Sequence, residues 1–139
     1  MPANTTPIFI LAGNFTPGRI AAANTASDGS GALVTIVTAG SNGTRVDGVR
    51  FINSQVALAA AAAKVWRIFL SDTGGANPRI IGEVIAAAVT RTIAVAGQTA
   101  TYTFDQPIIM KSGQIMTVVQ SIFGSAADQT DACAFAGDY

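Results

Sequence analysis

The sequence Gly31-Ala-Leu-Val-Thr-Ile-Val-Thr-Ala-Gly40, continued by Ser-Asn-Gly-Thr-Arg-Val-Asp-Gly-Val-Arg-Phe-Ile-Asn53, decides the fold class of this chain. Two runs rich in β-branched residues flank the break Gly40–Gly43, which contains Asn-Gly. An Asn-Gly break between two such runs predicts a β-hairpin. We therefore expect residues 31–39 and 44–53 to form two neighbouring antiparallel strands. Gly48 interrupts the second run, which predicts a bulge or a close approach of another backbone segment.

The rest of the chain shows the same pattern, with short apolar runs separated by Gly, Pro, Asn and Asp. Further strands are predicted at residues 8–11, 19–23, 64–72, 80–90, 92–95, 99–104, 115–123 and 132–135. Residues 64–72 are largely apolar on both faces, so this strand is expected at the centre of a sheet. A turn is predicted at Lys111–Gln114. About 8–10 strands at this spacing predict an all-β fold, an antiparallel two-sheet sandwich with jelly-roll-like topology.

The segment Gln55–Ala63 is open to two interpretations. Its run of alanines favours a helix by intrinsic propensity. It has no capping box and no amphipathic stripe, however, and isolated helices of this length are marginal in water. We expect a small-residue loop or strand edge here, with a single-turn helix as the alternative.

The length of 139 residues fits one domain with one core. We divide the chain into an extended N-terminal arm, residues 1–7, and a single β-sandwich domain, residues 8–139. The arm is rich in Pro, Thr and Asn, and such arms are often ordered only by a neighbouring subunit. It lacks the basic and apolar regions of a signal peptide, and a chain without a disulfide fits assembly in a reducing cytosol.

The charge composition limits the possible partners. Eight basic and eight acidic residues cancel, which leaves no basic surface for nucleic acid or an anionic membrane. The charged fraction is 12%, against about 25% in an ordinary domain. The longest charge-free apolar run is far shorter than the roughly 20 residues of a spanning helix. Either the domain is tightly packed with a Thr/Ala surface, or much of its surface is buried against other subunits, which we favour.

The residue inventory argues against an enzyme. The chain has no histidine, the commonest general base and metal ligand, and its carboxylates are scattered. Asp128 and Asp131 could belong to a loose Ca²⁺ loop, but a solvated loop is the favoured reading. Cys133 is the only cysteine, so it forms no disulfide within the chain, and it is expected to act as a small buried apolar residue. No catalytic residue, metal ligand or cofactor is therefore assigned.

The same central stretch also carries a family resemblance. Residues 34–51, Val-Thr-Ile-Val-Thr-Ala-Gly-Ser-Asn-Gly-Thr-Arg-Val-Asp-Gly-Val-Arg-Phe, resemble a segment that recurs in short proteins of phages and prophages. In that segment Thr-Ala-Gly-x-Asn-Gly-[Ser/Thr]-Arg-[Val/Ile]-[Asp/Glu] joins two strands. Residues 65–72 and the ending Gly137-Asp138-Tyr139 are similar to other parts of these proteins.

The resemblance implies a virion structural protein, and within that class a head decoration (cement) protein on the capsid surface. It also implies that the protein is made in the cytoplasm of a bacterial host. Its expected partners are the major capsid protein and other copies of itself, as a homotrimer. Contacts are expected on the arm and near the tip of the predicted hairpin, at Pro2, Thr5, Thr6, Pro7, Asn42, Arg45 and Asp47. The alternatives are a tail, fibre or head–tail connector component, and a glycan-binding adsorption module. Trp66, Tyr102 and Tyr139 are the aromatic residues available for stacking on sugars, although core or interface positions are favoured for them.

Overall fold

The computed structural model describes residues 9–54, 58–122 and 128–139. The predicted arm, residues 1–7, lies outside this part of the chain. The described residues form eleven β-strands, with one 3₁₀ turn at Thr73–Gly75. In chain order the strands are β1 (Ala12–Gly13), β2 (Gly18–Ile20), β3 (Val34–Thr38), β4 (Thr44–Asn53), β5 (Ala60–Ala61), β6 (Lys64–Ser71), β7 (Arg79–Ala86), β8 (Val89–Thr90), β9 (Thr99–Met110), β10 (Ile115–Gln120) and β11 (Thr130–Asp138). Among these residues no helix is long and apolar enough to cross a membrane.

The strands form two main antiparallel sheets. The first sheet has the order β1-β11-β4-β9, and β2 also pairs with β11. The second sheet has the order β3-β10-β6-β7, and β5 and β8 form a small separate ladder. The predicted all-β two-sheet sandwich is therefore confirmed. The strand at residues 64–71 lies between two neighbours, as its two apolar faces predict.

The strand pairing follows the jelly-roll pattern. Apart from the short β1, the two main sheets consist of eight strands. These are β2, β3, β4, β6, β7, β9, β10 and β11. In chain order the first pairs with the eighth, the second with the seventh, the third with the sixth and the fourth with the fifth. This nesting folds one long antiparallel ribbon across both sheets, which is the topology of jelly rolls.

The predicted hairpin at residues 31–53 is wrong. β3 pairs with β10 in the second sheet, whereas β4 pairs with β9 and β11 in the first. A two-residue Asn-Gly hairpin needs positive φ at both residues, but here Gly43 alone has it, at 94°. The turn instead runs from Gly40 to Gly43, closed by the Gly43 N–H donating to the Gly40 carbonyl at 3.0 Å. Gly40–Gly43 therefore carries the chain from one sheet to the other.

A second crossing between the sheets lies beside the first. The turn predicted at Lys111–Gln114 is confirmed, with the Gln114 N–H donating to the Lys111 carbonyl at 3.0 Å, and it joins β9 to β10. Ala39 ties the two crossings together, since its N–H donates to Gln114 and its carbonyl accepts from Gly113. Gly43 packs so close to this crossing that a Cβ there would lie 2.8 Å from the Met110 carbonyl.

Gly48 causes the side-chain alternation of β4 to change partway along. The predicted bulge is confirmed, because the register of β4 shifts beside Gly48 against both β9 and β11. A Cβ on Gly48 would lie 2.6 Å from the Tyr102 carbonyl. As a result Val46 and Val49 both face the core although they are three residues apart, and Arg45 and Asp47 face outward. Strict strand alternation predicts that Arg45 and Asp47 share a face with Val49 and Phe51, and the bulge makes that prediction wrong.

The main core lies between the two sheets and centres on an aromatic pair. The Phe51 and Trp66 rings stack with centroids 5.1 Å apart, and Trp66 donates from Nε1 to Thr130 Oγ1 at 3.2 Å. Such a pair adds about 0.5–1.5 kcal/mol to the burial of its area. The other members of the cluster are Ile20, Ile36, Val37, Ala39, Val46, Val49, Ile68, Ala86, Met110, Met116, Val118, Ala132 and Ala134.

One ion pair is buried at the end of β6. Lys64 Nζ lies 2.8 Å from Asp128 Oδ1, and the two side chains are 0% and 3% exposed. The Asp128 carbonyl also accepts from Gln120 Nε2 at 2.9 Å. Since buried ions are costly unless paired, each of these charges depends on the other.

Part of the outer face of the second sheet is covered by the chain itself. Phe69 and Val119 are buried although they lie outside the main core cluster. The connection from β2 to β3 crosses this sheet, because Asn24 donates to the Gln120 carbonyl and Thr25 accepts from Arg67. The connection therefore lies over the middle of this sheet, whereas Ile85 on the edge strand β7 is 81% exposed.

Several strand boundaries differ from the predictions. Residues 92–95 form a tight turn rather than a strand, with Thr92 and Val95 bonded to each other in both directions. Pairing at the N-terminus is formed by Ala12–Gly13 instead of residues 9–11, and the predicted strand 80–90 is divided into β7 and β8. Within Gln55–Ala63 the described residues 58–63 hold the short strand β5, as the strand-edge reading predicts, and residues 55–57 lie outside the described part.

Candidate interaction surface

The outer face of the first sheet carries an apolar groove of about 330 Å³. It is lined mainly by Ile10, Phe15, Asp47, Cys133, Phe135 and Gly137, and we call it the outer groove. Ile10, Phe15 and Phe135 are each about half exposed. Large apolar side chains that form one connected exposed patch mark binding surfaces in soluble proteins.

Backbone pairing at the edge of the sheet builds the outer groove. The Leu11 N–H donates to the Asp138 carbonyl at 2.8 Å, and β1 continues this pairing along the end of β11. Ile10 is thereby placed above Gly137, where a Cβ would overlap its Cγ2 atom. Gly137 therefore allows the segment before β1 to lie close against the sheet and form one wall of the groove.

An exposed ion pair lies at the rim of the outer groove. Arg45 donates from Nε and Nη2 to Asp47 Oδ1 at 2.9 and 2.8 Å. The two side chains are 43% and 46% exposed. An ion pair this exposed contributes only about 0–1 kcal/mol to stability. Its main effect is to present a positive and a negative group, in fixed positions, next to an apolar surface.

A polar network anchors the crossing at Gly40–Gly43 to the end of β11. Asn14 donates from Nδ2 to the Thr38 carbonyl at 2.8 Å and to Asp138 Oδ1 at 2.6 Å. The Thr44 hydroxyl also donates to Asp138 Oδ1 and accepts from the Gly40 N–H at 3.1 Å. Burial acts to raise the pKa of Asp138, but the hydrogen bonds from Thr44, Asn14 and Gly40 outweigh it and lower that pKa below its ordinary value.

The structure places the predicted contact residues in two groups. Arg45 and Asp47 lie together at the rim of the outer groove, while Asn42 is exposed on the neighbouring turn. The remaining predicted residues lie outside the described part of the chain: Pro2, Thr5, Thr6 and Pro7. Sequence reasoning missed Ile10, Phe15 and Phe135. The alternation Asp131-Ala-Cys-Ala-Phe135 was a usable signal for Phe135, since it places small residues inside and larger ones outside.

The carboxylates near the last strand do not form the loose Ca²⁺ loop considered from the sequence. Asp128 pairs with Lys64, and Asp131 Oδ1 accepts from Arg19 Nε at 2.9 Å. The hydrogen bond from Arg19 is the main reason that the pKa of Asp131 is lowered. Across residues 9–54, 58–122 and 128–139, no group of three or more metal-ligating side chains comes together.

Three further side chains have definite positions. Trp66 is 0% exposed, so its ring faces cannot stack on a sugar. Cys133 is half-buried in the wall of the outer groove, and burial raises the pKa of its thiol. Tyr102 packs edge-on against Phe104, with centroids 5.2 Å apart.

Comparisons of this chain with protein-family models, with curated proteins and with solved structures found no match.

Proposed function

We propose that this chain is a bacteriophage virion structural protein without enzymatic activity, a capsid decoration (cement) protein. In this proposal it binds the major capsid protein and other copies of itself, as a homotrimer on the capsid surface. The observation that carries the proposal is the outer groove with the Arg45–Asp47 pair at its rim, a surface that is both apolar and directionally charged. The low charge and the sequence resemblance support the same assignment.

The exposed apolar side chains of the first sheet support a subunit-contact role for it. On the second sheet the connection from β2 to β3 covers part of the outer face, and Ile85 on the edge strand β7 is 81% exposed. On the first sheet, Ile52, Ile109 and Phe135 remain between 42% and 57% exposed. A specific interface buries about 1,600 Å² in total. Repeated over a shell, contacts of this size would stabilise the head against internal DNA pressure.

The test is to prepare particles with and without this protein. Particles that lack it are expected to lose DNA at lower temperature and on low-salt shock, because the contacts between capsomers are missing. Unchanged resistance would refute a cement role. The copy number separates the alternatives: hundreds of copies per particle indicate the head, and a few indicate a tail, fibre or connector component. A glycan array tests the adsorption module, for which Trp66 is unavailable.

The Arg45→Glu substitution tests the contact surface itself. It places two negative groups at the rim of the outer groove, so incorporation into particles is expected to fall while the isolated subunit stays folded. Arg79→Glu is the matched control, because Arg79 is an exposed arginine on the second sheet. If both variants are incorporated like the wild type, the surface around Arg45 is not a contact.

A further inference from the structure

The structure also contains a projecting apolar feature. Residues 86–98, which we call the finger, leave the second sheet after β7 and return to the first sheet at β9. The tight turn Thr92–Val95 forms the tip, with Thr92 and Val95 bonded to each other at 3.1 and 3.3 Å. Ile93 at this tip is 97% exposed, the highest value among the exposed large apolar residues of the described chain.

The composition of this tip is unusual for an exposed turn. Tight turns are dominated by Gly, Pro, Asn, Asp and Ser, whose side chains favour turn geometry and water. The tip has Thr-Ile-Ala-Val instead, followed by Ala96. Turn geometry does not require an isoleucine at this position, and burial against another molecule would remove its apolar area from water.

The base of the finger is held in place. Gln98 is buried and donates from Nε2 to the Ala62 carbonyl at 2.9 Å and to the Ala87 carbonyl at 2.6 Å. The Gln98 carbonyl accepts from the Asn53 N–H at 2.8 Å, which fixes the finger to the last residue of β4. Binding of a partner to the tip therefore costs less conformational entropy, because the base of the finger is already ordered.

We propose that the Ile93 tip of one copy inserts into the outer groove of the next copy, so that the chain assembles head to tail into a closed ring. The two surfaces differ in shape, one projecting and one recessed, so each can fill the other. A two-fold contact between two outer grooves would place recess against recess. A heterologous contact of this kind closes into a ring when the rotation between copies allows it.

Charge complementarity favours this occupant of the groove. Arg91 is the only charged residue of the finger, and Asp47 is the only charged one among the described residues that line the groove. Both bonds from Arg45 end on Asp47 Oδ1, and Oδ2 has no hydrogen bond among the described residues. Arg91 of the incoming finger can therefore bind Asp47 while Ile93 enters the apolar part of the groove.

The contact is between copies rather than within one chain. The finger is fixed at Asn53, at the end of β4, whereas Asp47 lies six positions earlier on that strand. At about 3.3 Å per residue this is roughly 20 Å. The exposure of Ile93 shows directly that its side chain does not contact the groove of its own subunit.

The test combines Ile93→Cys with the native Cys133 of the groove. Mild oxidation of the purified variant by diamide, at alkaline pH because burial raises the pKa of the Cys133 thiol, is expected to give disulfide-linked oligomers. Peptide mapping should find residue 93 of one chain joined to Cys133 of another. The same variant with Cys133→Ser should give no such product. Products joined 93 to 93, joined 133 to 133, or closed within one chain would each overturn the proposal, as would an absence of any 93–133 product.

Light scattering of the purified protein supplies an independent readout. Ile93→Ser is expected to weaken self-association by roughly ten- to a hundredfold, as expected for one buried isoleucine. Ile85→Ser is the matched control, since Ile85 is 81% exposed on β7 and lies outside the tip. Equal effects of both substitutions, or a wild type that stays monomeric, would refute the ring.

This inference rests on the proposed function only for its biological role, since a homo-oligomer is expected there. The two can fail separately. A ring in solution without incorporation into particles would refute the decoration function and leave the ring standing. Incorporation of a protein that shows no 93–133 crosslink would refute the ring and leave the decoration function standing.

Discussion

The buried pair of Lys64 and Asp128 gives the sharpest prediction for stability. Replacement of Lys64 by Met removes the ammonium group but leaves the Asp128 carboxylate, which is 3% exposed, without its cation. Breaking such a pair on one side costs about 3–5 kcal/mol, because the buried carboxylate loses its attraction to the ammonium group. For an m value of about 2 kcal/mol/M, the urea midpoint should fall by roughly 1.5–2.5 M.

Urea titration followed by tryptophan fluorescence measures this effect directly. Trp66 is the only tryptophan, and it is fully buried against Phe51, so its emission reports the opening of the core. Lys111→Met is the matched control, because Lys111 is the only other lysine and it is exposed. Its midpoint should stay within error of the wild type.

A double-mutant cycle isolates the interaction itself. Asp128→Asn alone leaves Lys64 buried beside a neutral amide and should also be destabilising. The loss of unfolding free energy in the double variant should be about 0.5–3 kcal/mol smaller than the sum of the two single losses, since both charges of the pair are removed together. Additive effects in the cycle, or a Lys64→Met midpoint equal to that of Lys111→Met, would refute the assignment of a coupled buried pair.

Three further predictions follow from single contacts. Gly48→Ala should cost about 1–3 kcal/mol in the same titration, because its Cβ would lie 2.6 Å from the Tyr102 carbonyl, and a midpoint equal to the wild type would mean that the bulge adapts freely. Asp138→Asn should lower the urea midpoint at neutral pH, because the folded-state pKa of Asp138 is lowered. The difference in urea midpoint from the wild type should persist above the unfolded pKa of about 3.9 and narrow as the pH falls through the folded-state pKa. A pH-independent difference would contradict the network. Arg19→Ala should leave the midpoint unchanged, since its ion pair with Asp131 is exposed to solvent, and a clear loss would show that this pair does more than the structure indicates.

The candidate surface was only partly predictable from the sequence. Arg45 and Asp47 could be placed together because two residues along a strand share a face. The groove beside them could not, because it is formed by the segment before β1 lying over Gly137, a contact between the two ends of the chain. Lys64 shows the same limit. A lysine that begins a strand looks solvent-facing in the sequence, and its burial depends on Asp128, which comes from a distant polar loop.

The antiparallel β-sandwich class of this protein can be predicted from local sequence, because alternation, β-branched content and turn residues are local properties of the chain. Which strands are neighbours depends on long-range packing. β3 and β4 are joined by the short segment that most favours a hairpin, yet each pairs with a strand far along the sequence. The physical reason lies at Gly40–Gly43, where positive φ at Gly43 alone forms a four-residue turn, and the network of Asn14, Thr44 and Asp138 holds that turn as a crossing between sheets.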